Sequence, residues 1–213
     1  MKILLCAATY QEIEPFIKHH TFNFNTDEWI KIDSNEVKIL ITGVGMVATA
    51  YALGVALTKE NFDLAINAGV AGSFYKNIKI GQLVEIREDI LAELGAEDDE
   101  EFISLVEMNL GEVAFFATKN TSITDELRKV TGITVNMVHG NRESIENIQE
   151  RLNPTVESME GAAFFYACEE AQVPSIQIRG ISNYVEKRNR ENWNIPLAVK
   201  TLNDWLIANI KKI

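Results

Sequence analysis

The chain is poor in the residues that several function classes require. Among its 213 residues there are two cysteines, Cys6 and Cys168, each inside an apolar run. Two isolated thiols make neither a disulfide framework nor a zinc-ligand spacing, and they read as reduced core residues. Three histidines, His19, His20 and His139, are too few and too scattered for a metal site, so no metal or other cofactor is expected. Basic residues are scarce as well: 20 Lys and Arg stand against 31 Asp and Glu, a formal net charge of −11. This excludes the basic footprint of a nucleic-acid grip, and an anionic ligand would need a local cationic pocket. No apolar run approaches the roughly 20 residues of a membrane span, and Ile3–Ala8 is too short for a signal core. The expectation is a cytoplasmic protein that needs no membrane. Four scattered prolines mark no linker, and no repeat or low-complexity tract appears, so residues 1–213 are expected to form a single domain.

What is present is a regular alternation of apolar segments. Hydrophobic residues make up 46% and charged residues 24%, enough to bury a sizeable core. Strands are expected at Lys2–Ala8, Val37–Thr42, Asp63–Asn67, Ile80–Ile86, Glu112–Ala117, Ile133–His139 and Ser175–Ile181. Helices are expected at Tyr10–His19, Met46–Lys59, Ser144–Leu152, Glu160–Ala171 and Ile195–Lys212. The acidic run Glu97–Glu101 reads as a solvated loop. Strands alternating with helices predict an α/β fold: three α/β/α layers around a mixed, largely parallel sheet.

Ligands of such sheets bind outside the strand C-ends, which selects the candidate residues. Glu160 opens an otherwise apolar helix, Glu160–Ala171, next to Ser158 and Met159. It could serve only the helix macrodipole, or it could be a part-buried carboxylate that grips vicinal ribose hydroxyls. Asn183, after Ser182 at the end of Ser175–Ile181, could be a turn residue or an amide reading a heterocycle edge. Glu12 follows the first strand and could be an ordinary first-turn acid or a base that polarises water; Glu14, before Pro15, reads as surface. Gly43-Val44-Gly45 and Gly69-Val70-Ala71-Gly72 read as glycine turns at strand ends, and neither completes a dinucleotide or P-loop fingerprint. His139 reads as a satisfied structural histidine. No nucleophile-elbow or cysteine–histidine signature argues for covalent catalysis.

Taken in order, these segments resemble the nucleoside phosphorylase and nucleosidase superfamily over almost the whole chain. The carrying pieces are Met1–Ile13 with Glu12, Thr42–Gly45, Asn67–Gly72, Val156–Ala162 and Arg179–Asn183. The resemblance implies a nucleoside phosphorylase-like fold, a small-molecule nucleoside substrate and a homo-oligomer, with a dimer the first expectation. It implies Glu12 and Asn183 as catalytic groups. Val44, Val70, Ala71, Gly72, Ser158, Met159, Glu160, Ser182 and Trp193 would line the substrate site. Methylthioadenosine nucleosidases of the superfamily carry Asp where this chain has Asn183, and the amide suits a 6-oxopurine better than adenine. Ala92–Asp98, Val138–Asn141 and Ser182–Pro196 resemble the futalosine hydrolases of menaquinone biosynthesis, which implies release of hypoxanthine from futalosine. Lys187, Arg188 and Arg190 could then meet the benzoate carboxylate of that substrate. The alternatives are a methylthioadenosine/S-adenosylhomocysteine nucleosidase and a purine nucleoside phosphorylase. Phosphorolysis is disfavoured because the first glycine turn has no arginine, position 70 is Val, and Arg87 is the one arginine suitably placed near a strand end.

Overall fold

A computed structural model describes residues 1–21, 25, 28–118 and 122–213. In chain order the larger elements are β1 (Lys2–Ala7), α1 (Tyr10–His20), β2 (Trp29–Ile32), β3 (Asn35–Ile41), α2 (Met46–Lys59), β4 (Leu64–Ser73) and β5 (Leu83–Leu91). There follow β6 (Gly95–Asp98), β7 (Glu101–Ser104), β8 (Ala114–Phe116), β9 (Arg128–Thr134), α3 (Arg142–Leu152), β10 (Val156–Ser158), α4 (Gly161–Glu170), β11 (Ser175–Tyr184) and α5 (Ile195–Asn209).

The main sheet is mixed, in the order β10-β9-β5-β11-β4-β1-β3-β2, with β8 paired to β5. Parallel pairing runs through β3, β1, β4 and β11, while β11 meets β5 antiparallel. β10 also pairs with β4, so β4, β11, β5, β9 and β10 close into a ring. β1 shows why its sequence reads as an unbroken apolar run. Ile3 and Leu5 pack toward α1 and α5, with Phe16, Ile17, Leu202 and Leu206. Leu4 and Cys6 pack on the other face toward α2 and α4, with Leu53, Phe164 and Phe165. A strand covered on both faces needs apolar residues at every position. Both cysteines are buried and free, and burial raises both thiol pKa values. Among the described residues, no helix is long and apolar enough to cross a membrane.

Several elements depart from the sequence expectation. β4 runs straight through Gly69–Gly72 to Ser73, so those glycines form strand and not a turn. β11 extends to Tyr184, which puts Asn183 inside the strand. The segments expected at Ile80–Ile86 and Ile133–His139 are displaced to Leu83–Leu91 and Arg128–Thr134, since charged residues in mid-strand masked their true span. The acidic run is a hairpin, β6–β7, turning at Asp99 with φ of 55°. Its residues are mostly exposed, so the charges do stay wet. β2 and β10, of four and three residues, were too short to carry a period.

α1 is held by a side chain from far along the chain. Asn203 of α5, 1% exposed, accepts from Phe16 N at 2.9 Å and donates to the carbonyl of Glu12 at 2.8 Å. These are an i, i+4 donor and acceptor pair of the helix ladder, and Pro15 lies between them. Proline interrupts a helix ladder, and the Asn203 amide braces the donor and acceptor that flank it. It thereby fixes the turn that carries Glu12.

Candidate active site

A cavity of about 400 Å³ lies at the C-ends of β1, β4 and β11, walled by β10, the loop after β9 and the start of α5. It brings together Glu12, Val44, Val70, Ala71, Gly72, Ser158, Met159, Glu160, Ser182, Asn183 and Trp193, the residues that the family resemblance implies as catalytic or lining the site. It adds Ala8, Thr9, Gln11, Val138, His139, Glu157, Arg188, Ile195 and Val199.

Glu12 sits in the first turn of α1 and is buried. One carboxylate oxygen accepts from Thr9 N at 2.9 Å and Thr9 Oγ1 at 3.0 Å. This is the return contact of a helix capping box. The other oxygen accepts from Val70 N at 3.1 Å. Burial pushes the Glu12 pKa up, against the opposing pull of Arg179 and of the Val70 and Thr9 donors. The close approach at β4 depends on Gly69. A methyl there would collide with the Arg179 guanidinium and come within 2.9 Å of Glu12 Oε1.

Glu160 is the residue that caps α4, one position before the helix proper, and it is 6% exposed. Its Oε1 accepts from Gly45 N at 3.1 Å. Gly45 holds φ of 94°, a conformation that favours glycine, and this aims the N–H at Glu160. So Gly43–Gly45 is a turn that holds Glu160, whereas Gly69–Gly72 is strand. Below the floor Arg179, 1% exposed, brings Nη1 to 3.7 Å from Glu160 Oε2. One guanidinium beside two buried carboxylates compensates them only in part, and Glu160 adds to the rise of the Glu12 pKa.

A buried relay orients that arginine. Arg179 Nε donates to Gln177 Oε1 at 2.9 Å, and Gln177 Nε2 donates to Asp89 Oδ2 at 3.0 Å. Thr134 Oγ1 donates to Asp89 Oδ1 at 2.8 Å while accepting from Ala162 N of α4 at 2.7 Å. Burial raises the Asp89 carboxyl to a pKa of about 6.

On β11 the register slips by one between Ile181 and Asn183, a bulge at Ser182. Such bulges re-aim side chains. Ser182 Oγ donates to Asn183 Oδ1 at 2.8 Å, and Asn183 Nδ2 donates to the carbonyl of Tyr184 at 3.1 Å. Ser158 Oγ is buried on the cavity wall with no protein partner among the described residues. Trp193 is half-buried beneath two cations: the guanidinium of Arg188 lies 5.1 Å and that of Arg190 5.9 Å from its ring. Arg188 reaches the cavity; Lys187 and Arg190 do not.

Among the polar side chains of this region that the sequence reading did not nominate are Glu157, His139 and Arg179. Glu157 is 3% exposed and accepts from His139 N at 3.1 Å and His139 Nδ1 at 2.7 Å. His139 is thus partnered, as expected, but it also lines the cavity. Only the placement of β10 reveals Glu157; Arg179 was visible as the sole charge in an apolar strand, a signal of a buried pairing. Arg87, the candidate phosphate ligand, lies elsewhere: it pairs with Glu85 at 2.8 Å and borders a separate shallow pocket with Glu88 and Lys129.

Residues 3–211 match the phosphorylase superfamily. The futalosine hydrolase of Thermus thermophilus is 26% identical over 196 residues, covering 88% of this chain and 86% of that protein. The 5′-methylthioadenosine/S-adenosylhomocysteine nucleosidase of Colwellia psychrerythraea is 27% identical over 201 residues, covering 87% and 81%. In fold, the chain is similar to the native structure of futalosine hydrolase of Helicobacter pylori, with a TM-score of 0.84 at 16% identity, covering 100% of this chain and 98% of that one.

Proposed function

The chain belongs to the phosphorylase superfamily, and we propose that within it this protein is a hydrolase that cleaves the N-glycosidic bond of futalosine. The products are hypoxanthine and dehypoxanthine futalosine, a step of menaquinone biosynthesis. The observation that carries the reading is the convergence of Glu12, Glu160 and Asn183 on one cavity from three separate parts of the chain. The relationship to futalosine hydrolases supports the substrate.

In this reaction the sugar gains positive charge as the base departs with negative charge. Glu12 orients and deprotonates the attacking water, and its raised pKa makes it a stronger base than an ordinary glutamate. Glu160 accepts from the ribose hydroxyls and sets negative charge beside the forming cation. Asn183 donates to the departing base, where charge accumulates only in the transition state. Arg188 meets the carboxylate of the 5′ tail beside Trp193.

Hydrolysis is favoured over phosphorolysis by charge. Phosphate would meet Glu12, Glu157 and Glu160 on the cavity wall, and Arg179 behind them is held near Glu160. The test is a chromatographic assay of free base from futalosine, inosine and methylthioadenosine, with and without phosphate. Hypoxanthine released from futalosine regardless of phosphate is expected. A strict phosphate requirement, or adenine from methylthioadenosine, would refute the assignment.

A homodimer is part of the proposal. Val47 and Tyr51 of α2 are 82% and 74% exposed, and with Val55 they form a stripe leading to Val44 at the cavity. A second copy covers it. Sedimentation of Val47→Lys as a monomer beside a dimeric parent is the expected result.

A further inference from the structure

Asp89 is a buried carboxylate that packing alone does not call for. β5 carries Val84 and Ile86 into the apolar layer that holds Phe164 and Phe165 of α4. Its register against β9 shifts between Ile86 and Glu88, and such an irregularity changes which side chains share a face. Asp89 therefore turns the same way as Ile86: a methyl on Gly132 would stand 3.1 Å from both Ile86 Cγ2 and Asp89 Oδ2. Asp89 is 1% exposed, and Gln177 and Thr134 beside it are wholly buried. Burying such groups is costly unless their hydrogen bonds are met, and apolar side chains often fill such a space without loss. Orientation is what the polar set adds.

Two arms leave Asp89, and its chemistry fixes the polarity of both. Above its titration at about 6 the carboxylate has lone pairs and no hydrogen to give. Gln177 must then turn Nε2 toward Asp89, which leaves Oε1 to accept from Arg179 Nε. Arg179 carries Nη1 to 3.7 Å from Glu160 Oε2. On the other side Thr134 spends its hydroxyl hydrogen on Asp89, which leaves a lone pair for Ala162 N in the first turn of α4. Glu160 caps that helix. Both arms thus end on Glu160, one at its carboxylate through Arg179 and one at its backbone through α4. The packing is tight as well as polar. A methyl on Gly161, the residue after Glu160, would collide with Asp89 Oδ2 and Gln177 Oε1.

We propose that Asp89 is a positioning residue for ribose recognition. Through Gln177 and Arg179 on one arm, and through Thr134 and α4 on the other, it holds Glu160 in the geometry that binds the 2′-hydroxyl. The inference rests on the reading of Glu160 as the ribose-binding carboxylate. If Asp89 only fastened the sheet to α4, its loss would weaken the binding of ribonucleosides and 2′-deoxyribonucleosides alike.

The test is calorimetric titration with inosine and 2′-deoxyinosine, above the titration of Asp89 and in a Glu12→Gln background that slows their cleavage. Turnover of futalosine by the unaltered protein is followed alongside. With Asp89 in place, inosine is expected to bind about 10- to 100-fold more tightly than 2′-deoxyinosine, the span of one hydrogen bond to a charged group. Asp89→Ala, which cuts both arms, is expected to bring the two within about threefold. Thr134→Val, equal in shape, cuts one arm and should give a partial fall. Asp89→Asn combined with Gln177→Glu moves the carboxylate one place along the relay. The new amide can donate toward position 177 and accept from Thr134, and the new carboxylate can accept from Arg179 Nε. This swap is expected to restore the preference to within about threefold. A folded Asp89→Ala that keeps the full preference would overturn the proposal, and so would a folded swap variant that lacks it. Should Asp89→Ala not fold, full preference in Thr134→Val would overturn it instead. No preference with Asp89 in place would refute the ribose-binding role of Glu160, and the proposal with it. If the nucleosides sort as expected but futalosine is not cleaved, the hydrolase reading fails and the relay stands.

Discussion

Arg179 Nη1 lies 3.7 Å from Glu160 Oε2, while the same guanidinium bears electrostatically on Glu12. One buried cation therefore couples the two carboxylates proposed to work on opposite demands, water activation and sugar binding. Glu160 in turn raises the Glu12 pKa. The activity needs Glu12 ionised, so the rate falls as pH drops through its folded pKa. The acid limb of kcat/KM is expected above the ordinary glutamate range. Glu160→Gln removes a like charge and should move the limb of the residual activity to lower pH; a limb that stays or rises would contradict the coupling.

Glu12→Gln should lose about 10²- to 10⁴-fold in kcat with little change in KM. Single-turnover release of hypoxanthine is the measurement. Near-normal turnover would remove Glu12 from its role.

Asn203 is expected to matter for catalysis although it lies behind Glu12. Asn203→Ala leaves Phe16 N and the Glu12 carbonyl without the side-chain partner that braces the helix around Pro15. A cost of about 1–3 kcal/mol follows from unmet buried groups. Thermal unfolding should register that cost, and kcat should fall as the first turn of α1 loosens. Unchanged values of both would mean the helix closes its own gap.

Asp89 gives the fold a measurable pH signature. Its carboxyl titrates at about 6 in the folded chain against an ordinary 3.8. Between those values the folded chain holds a proton that the unfolded chain has released. Stability from this group is therefore fully present below the unfolded pKa and lost as pH rises through about 6. Relative to Asp89→Asn, the parent should lose melting temperature from pH 4 to pH 6 and run parallel above it. A constant gap across that range would show that Asp89 does not titrate there.

Arg188→Ala should raise KM for futalosine and leave inosine, which lacks the benzoate tail, unaffected. Equal effects on both substrates would place Arg188 away from the tail.

Much of this site was legible because its chemistry sits where pattern breaks. Glu12 and Glu160 are carboxylates bordering apolar segments, and α2 was read at its observed bounds, Met46–Lys59. Gly69–Gly72 misled for a physical reason. Glycine marks a turn or a close approach equally well, and here the close approach of Arg179 and Asn183 leaves no room for a side chain. Glu157 was hidden because β10 has three residues and pairs across the ring to β4 and β9, a relation that no local period records.

That ring also sets when the site can come into being. Gly72 takes its neighbours from residues 157 and 183, and the turn that carries Glu12 is held from behind by Asn203. A chain growing from its N-terminus holds Glu12 and the glycine strand long before their partners emerge. A chain that stops short of those partners is expected to carry no site, since long-range closures form only once both sides are present. Chains truncated before α5 should accordingly fail to capture ligand, and chains that include it should succeed.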